Sequence, residues 1–418
     1  MSTRGPRVIR AVNRLGRATQ RLGMRGGLAE SSLIRAAQRR TKLSFFADER
    51  FRVPLRVLLD SLETEAQLHP VGRAITRAAL VGSLGNRLRV QALRDRDPAA
   101  FRLDVPRPVF VIGLPRTGMS LLQRMLARHP ALRALSVWEA VNPVPIHTDR
   151  VPEGTLDPRI RRAEMAVRGL RYIAPDLHGI LGTTAEEVGD DSLLFDPSLF
   201  ASAAEGVANV PSFSGWLALA EDRPAYEEYR ELLQVLLGTR GGRFLGKSSF
   251  HLEHLGSLLA TFPDAKIIHV HRDPVQAVAS LSSVVTRLRR VLSDAVEPHE
   301  LGRQALDWSH YRLERGLADR GRYDPDIFQD LRYEDLIADP LKQIQRVSDF
   351  IDEPLAQPSE RAIQAFLRSH SQHTVRRHAY SLDDFRLRKE EVAERFSAYR
   401  ERFDLVASAG ERAVRAPT

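Results

Sequence analysis

Residues 108–126 constrain the fold more than any other stretch of the chain. Pro108-Val109-Phe110-Val111-Ile112 is a short apolar run that reads as a buried strand, and Leu121, Leu122, Met125 and Leu126 recur at helical spacing beyond it. Between them, Gly113-Leu114-Pro115-Arg116-Thr117-Gly118-Met119-Ser120 fits the phosphate-loop frame G-x-x-x-x-G-K-[S/T], except that Met119 stands at the lysine position and Arg116 sits inside the loop. A strand, a Gly-bounded loop and a helix start make an anion cradle, because the first N–H groups of the helix have no intrahelical acceptor. Loss of the lysine argues against ordinary nucleoside triphosphate hydrolysis. It leaves a different anionic nucleotide as the expected ligand.

The 418 residues suffice for one large core or two smaller ones, and the 43% hydrophobic content is that of a globular protein. No stretch is long and apolar enough to cross a bilayer, and no apolar signal-peptide core lies near Met1. Without cysteine there are no disulfides, no thiolate catalysis and no cysteine-ligated zinc. The net charge of +9 is concentrated in residues 1–42, which hold eleven Arg or Lys and a single acid, Glu30. The rest of the chain is close to neutral, so a nucleic-acid partner is not expected. Arg4, Arg7, Arg10, Arg14, Arg17, Arg21 and Arg25 would form one stripe on a helix, suited to a membrane surface or a protein partner. Gly5, Pro6, Gly16, Gly23, Gly26 and Gly27 weaken such a helix and favour a flexible basic leader instead. The expected setting is cytoplasmic, with peripheral membrane or protein contact through residues 1–42 left open.

Beyond this leader, residues 43–104 read as a helical N-terminal extension, with Phe51, Leu55, Leu58, Leu59 and Leu62 on one stripe. Residues 105–405 form the expected main α/β domain. A second strand, Ala265 to His271, follows a helix Leu252–Phe262 closed by Pro263-Asp264. Further helical segments are expected at Glu227–Leu237, Glu334–Ile351 and Lys389–Phe403. Strand, helix and strand in this order predict a P-loop-like central parallel β-sheet flanked by helices. The irregular stretch 143–222 is expected to wall an acceptor pocket; Phe195, Phe200, Phe213 and Trp216 suit either an apolar lining or core packing.

The second informative block is His271-Arg272-Asp273-Pro274, with Ser280 eight residues after Arg272. Arg272 leaves the end of a strand, where parallel sheets bind ligands, and Pro274 suits the first turn of a helix that would bring Ser280 toward the same anion. Together the two blocks resemble the sulfotransferases that use 3′-phosphoadenosine 5′-phosphosulfate (PAPS), and most closely their bacterial and tyrosyl-protein branch. The resemblance continues through Phe244-Leu245-Gly246-Lys247-Ser248-Ser249-Phe250-His251, Phe262-Pro263-Asp264-Ala265, Arg332-Tyr333-Glu334-Asp335-Leu336 and His378-Ala379-Tyr380-Ser381-Leu382. It covers roughly residues 105–390. It departs from the family pattern at Met119, Gly246 and Ser249.

The resemblance implies a role for each matching residue. Thr117, Gly118, Met119 and Ser120 would hold the 5′-phosphosulfate, Arg116 would contact the sulfuryl group, and Arg272 with Ser280 would grip the 3′-phosphate. Lys247 matches the lysine that faces the bridging oxygen; it is one of five lysines among 62 basic residues, and an ammonium can surrender a proton where a guanidinium cannot. Tyr333, His378 and Tyr380 would border the nucleotide. The acceptor, a small-molecule or lipid-like hydroxyl, needs a base. Candidates are Glu139, His178, and Glu186 with its neighbour Glu187. Because the sulfuryl group carries less charge than a terminal phosphoryl, no metal is expected. His251, His269 and His271 read as satisfied interior histidines, with no carboxylate at matching spacing. The competing readings are a degenerate P-loop kinase and a non-catalytic nucleotide binder.

Overall fold

All four residues of strand β1 (Val109–Ile112) are buried, as a strand covered by helices on both faces requires. The computed structural model describes residues 27–145, 156–175, 184–200, 203–238, 241–372 and 380–405, with Ile9, residues 11–14, Gly16 and Leu177. Within them β1 is the middle strand of five, joined by β2 (Leu132–Arg133), β3 (Arg243–Lys247), β4 (Lys266–His271) and β5 (Phe328–Arg332). The order is β2-β3-β1-β4-β5, every pair parallel. From β1 the chain runs to β2 on one side and later returns to β4 on the other. The order therefore reverses at the carboxyl end of β1, where open α/β sheets place their ligands.

The period-two alternation of the strand divides the apolar layers. Val109 and Val111 pack with Leu122, Met125 and Leu126 of the loop helix Met119–Leu126 and with Ile344 and Val347 of the helix Pro340–Phe350. Phe110 and Ile112 face the opposite layer, which is built around Phe244, Phe250 and Phe262. Phe110 meets Phe244 edge-on at 5.7 Å. The edge strand β5 buries Phe328 and Leu331 but exposes Asp330.

The larger apolar cluster runs from Leu28 to Leu405, so the N-terminal helices share one core with the sheet. Here the structure corrects the expected leader. Residues Glu30–Thr41 form a helix that buries Leu33, Ile34 and Ala37, while Arg35, Arg39 and Arg40 point outward. Glu30 anchors it to the next helix, Arg52–Thr64, accepting from Arg52 at 2.5 Å and Arg56 at 2.7 Å. Net charge concealed an amphipathic helix, because its three core residues outweigh the basic face. Except for Arg14, the arginines of the expected stripe lie outside the described residues. Among the described residues no helix is long and apolar enough to cross a membrane.

Three helices expected to be continuous are broken. The 252–262 helix divides at His254 and the 389–403 helix at Phe396. The 334–351 helix divides at Asp339, whose carboxylate caps the next helix by accepting from Lys342 N at 3.1 Å, ahead of Pro340. If Glu30–Thr41 belongs to the core, Leu33→Ala should cost about 2–5 kcal/mol in denaturant titration. Arg39→Ala should stay within about 0.5 kcal/mol of wild type.

Candidate active site

The loop after β1 is shaped by two close approaches. A Cβ at Gly113 would lie 2.4 Å from the Val270 carbonyl oxygen, and one at Gly118 would lie 2.7 Å from the Tyr333 ring. Gly118 also has φ 95°, the left-handed region that side chains avoid. Thr117 is buried and donates its hydroxyl to Leu114 O at 2.8 Å, bracing the loop from within. Arg116 adopts φ 73°, which for a non-glycine residue costs roughly 1–2 kcal/mol.

This strained conformation turns Arg116 toward β4. Its Nε donates to Ser280 Oγ at 3.1 Å. Arg272 returns the contact, donating to the Arg116 carbonyl at 2.8 Å. The Arg272 guanidinium lies over the Tyr333 ring at 4.1 Å, and its other amino group donates to Gln276 at 3.0 Å. The convergence follows from topology: β1 and β4 are paired neighbours, so the loops at their carboxyl ends emerge side by side. Asp273 then starts the helix Pro274–Arg290 by accepting from Val275 N at 3.1 Å, and this helix carries Ser280 back to the loop.

The site is cationic without a counter-ion. Among the described residues neither Arg116 nor Arg272 pairs with a carboxylate, and the buried Nε of Arg272 has no partner at all. Arg116 has exposed surface but crowded walls. Desolvation by those walls outweighs the nearby Tyr380 and, with the Arg272 charge, holds its guanidinium below the ordinary range. An unpaired donor, two uncompensated guanidiniums and the open start of the loop helix fit an anion with two separate phosphate-like groups.

Lys247 closes the other flank. It ends β3 opposite Val111, and Ser248 N donates to the Val111 carbonyl at 3.2 Å. Its ammonium donates to Asp190 Oδ2 at 2.6 Å. Desolvation pushes the Asp190 carboxyl up, but the Lys247 charge and the hydroxyls of Ser192 and Ser248 prevail and leave it below the ordinary carboxylate range. The next residue, Asp191, is buried. It accepts from Tyr229 Oη at 2.9 Å and sits 3.3 Å from His251 Nε2, whose Nδ1 lies 2.9 Å from Tyr226 Oη. A Cβ at Gly246 would stand 2.3 Å from Asp191 Oδ2. The departure at Gly246 is thus the space this buried network needs. Sequence reading did not single out Asp190 and Asp191; the adjacent acids just beyond Glu186-Glu187 were the available signal.

The remaining expected residues scatter. Glu139 is buried; it accepts from Ser136 N at 2.9 Å in a capping box and pairs with Arg133. Both its oxygens are therefore engaged in holding the short helix Val137–Val141. Glu186 is exposed, and Glu187 pairs with Arg124 at 3.1 Å. His178 and His378 lie outside the described residues. Met119 puts its side chain in the core below the loop, and Ser120 faces outward on the first helical turn. Tyr380 is half-buried and electrostatically coupled to Arg116. Phe195, Phe200 and Phe213 belong to the core, with Trp216 packed against it.

Two points of the histidine reading change: the buried Nε2 of His269 has no hydrogen-bond partner among the described residues, and a carboxylate does reach His269 and His271, from β5. Asp330 lies within 4.8 Å of both ring systems, since it pairs with His269 across the sheet. Arg320 already fills the cationic place, donating to Asp330 at 2.6 and 2.9 Å, while His271 also meets Tyr399 Oη at 2.8 Å. Burial holds both histidines below their usual range, hence neutral.

This chain belongs to the sulfotransferase family: the model described as "Sulfotransferase family" matches residues 108–357. It is 30% identical to sulfotransferase STF1 from Mycobacterium tuberculosis H37Rv, with a TM-score of 0.78 over 88% of this chain and 98% of that one. It is 27% identical to STF9 from Mycobacterium avium, with a TM-score of 0.80 over 91% and 98%. A curated relative, omega-hydroxy-beta-dihydromenaquinone-9 sulfotransferase Stf3 of Mycobacterium bovis, is 26% identical over 57% of this chain and 61% of its own length. The match thus spans under two thirds of that relative.

The 3-10 segment Asp191–Ser198 that leaves the Lys247 flank carries a further acid, Asp196. Burial without a compensating partner pushes its carboxyl up to about 7. The raised value means that folding takes up a proton between the ordinary carboxylate value, about 4, and 7. This group therefore costs nothing below pH 4 and progressively destabilises the fold as pH rises toward 7. Thermal melts should show Asp196→Asn gaining on wild type from pH 5 to pH 8, with little difference at pH 4. Parallel curves across that range would contradict the assignment.

Proposed function

We propose that this chain transfers a sulfuryl group from PAPS to the hydroxyl of a lipid-like acceptor. One observation carries the reading: Arg116, Arg272 and Ser280 converge on a single cradle, and among the described residues no acid pairs with either guanidinium. PAPS and its product carry phosphate at both the 3′ and 5′ positions, where ATP carries it at the 5′ position alone, and two guanidinium-bearing turns suit that separation. In this reading the loop N–H groups and Ser120 hold the 5′ end, Arg272 and Ser280 hold the 3′-phosphate, and Tyr333 and Tyr380 border the nucleotide. The lipid-like acceptor is carried over from the acceptor named for the Stf3 relative, which is a hydroxylated menaquinone.

Sulfuryl transfer asks for alignment and charge stabilisation more than covalent chemistry. The sulfur–oxygen bond to the 5′-phosphate breaks, the acceptor oxygen bonds to sulfur, and the acceptor proton goes to a base. Lys247 and Arg116 would stabilise charge on the departing phosphate, each by a few kcal/mol in a dry site. Asp190 is the base we favour, because it alone among the acids considered touches Lys247. While paired with the ammonium it is a poor base. When Lys247 turns to the donor, Asp190 loses that stabilising charge and its affinity for a proton rises. Base catalysis of this kind contributes roughly 10²–10⁴-fold.

Adenosine 3′,5′-bisphosphate should raise the melting temperature at concentrations where ATP with or without Mg²⁺ does not. Arg272→Ala should abolish that shift, and equal stabilisation by ATP and the bisphosphate would overturn the reading. With labelled donor, Asp190→Asn should lower kcat by about 10²-fold or more while leaving bisphosphate binding intact. Glu139→Gln should chiefly lower stability, by about 1 kcal/mol as a lost cap does. A turnover defect confined to Glu139→Gln would transfer the base role to Glu139.

A further inference from the structure

A cavity of about 330 Å³ lies between the helices Arg52–Thr64, Pro70–Arg96, Ala203–Val207 and the end of Pro274–Arg290. Its size falls in the range of small-molecule sites, and its lining is overwhelmingly apolar, with Leu62, Leu80, Leu199 and Leu288 on different walls. Three polar side chains interrupt the lining, and of these Ser83 is satisfied by the Ala79 carbonyl at 3.2 Å. The Thr76 hydroxyl is buried with no partner, and Asp196 has no hydrogen-bonding or ionic partner among the described residues. Close packing normally eliminates such a void and pairs such groups.

The walls are fixed rather than free to collapse. Arg312 spans Glu205 and Glu253, and Arg289 donates to the Glu205 carbonyl at 2.9 Å, pinning the helix Ala203–Val207 to its neighbours. Two of the walls also lead back to the candidate active site. The 3-10 segment starts beside Asp190 and reaches Asp196 about 10 Å on, at about 2 Å per residue. The helix holding Ser280 reaches Leu288 about 12 Å on.

We propose that this cavity receives the hydrocarbon chain of the acceptor, at a depth that excludes short alcohols. The proposal deepens the sulfotransferase reading and rests on it. An extended chain advances about 1.25 Å per carbon, given 1.5 Å bonds, so a chain running beside either wall needs about eight carbons to pass from the level of Asp190 or Ser280 to that of Asp196 or Leu288. Thr76 and Asp196 would then meet an uncharged polar group on the chain, such as a keto or ether oxygen accepting from the hydroxyl or from a protonated Asp196.

The test is a series of primary alcohols of 4, 8, 12 and 16 carbons as acceptors, with equilibrium dialysis of tritiated 1-dodecanol alongside. Each fully buried methylene can contribute up to about fourfold, so kcat/KM should rise by about 30-fold or more between 8 and 12 carbons and little between 4 and 8. Ala79→Phe and Ala203→Phe add bulk to the lining from two different helices; each should cut the gain below threefold and weaken dodecanol binding at least tenfold. Thr76→Val should strengthen binding of the plain chain by threefold or more, a change that misfolding does not produce. Leu219→Ser, at an exposed site away from the cavity, should behave as wild type. Equal dodecanol binding by wild type and both filled variants, or a rise in kcat/KM already complete at 8 carbons, overturns the proposal. A missing bisphosphate melting shift would sink the sulfotransferase reading, while the dialysis result would still decide whether the cavity takes a chain.

Discussion

The hydrogen bond from Arg272 to the carbonyl of Arg116 organises the rest of the site. It ties the turn after β4 to the turn after β1 and helps hold Arg116 in a left-handed conformation that would otherwise relax. It also keeps two like charges close with no acid between them among the described residues. That arrangement is unfavourable in an empty site, so the surrounding structure must over-determine it. Tyr333 does so from below, filling the space beside Gly118 and presenting its ring face to Arg272. The cost is met during folding, and an entering anion finds donors that need little reorganisation.

The same logic explains which parts of the molecule were legible in the sequence. β1 and β4 announced themselves because both are apolar and followed by punctuated loops, and the residues at their ends are the ones the structure brings together. β3 and β5 did not. Arg243-Phe244-Leu245-Gly246-Lys247 has a glycine that makes room for two neighbours distant in sequence, Asp191 and Phe110, and Phe328-Gln329-Asp330-Leu331-Arg332 is an edge strand with polar residues facing outward. The helix Glu30–Thr41 was hidden by its charge, since only three of its residues are buried. Glu139 forms a capping box with Ser136, a signature the Ser136-Val137-Trp138-Glu139 spacing carries but a search for a base passes over, and it pairs with Arg133 six residues back. Asp330 meeting His269 is a cross-strand register, invisible until β5 is known.

Asp190 and Asp191 show how one backbone step divides two roles. Asp191 faces inward, where two tyrosines and His251 surround it and Gly246 leaves it room. A buried acid network of this kind contributes little net stability, but removing one member strands the others, so it fixes geometry more than energy. Asp190 faces the opposite way and holds Lys247 at 2.6 Å. Its position is inherited from Asp191, because the start of the 3-10 segment cannot shift without breaking the network beneath it.

Under the proposed function Lys247 would have two competing anions, Asp190 and the donor. The ammonium cannot fully satisfy both, since its three protons fan out from one flexible stem. Before the donor enters, Asp190 prevents an uncompensated charge at the end of β3. In the proposed reaction, a donor that drew the ammonium away would leave the Asp190 carboxylate without its stabilising charge and more basic than before. The enzyme would thereby arm its base only when there is a sulfuryl group to transfer, and a bound acceptor without donor would meet a carboxylate already neutralised by lysine.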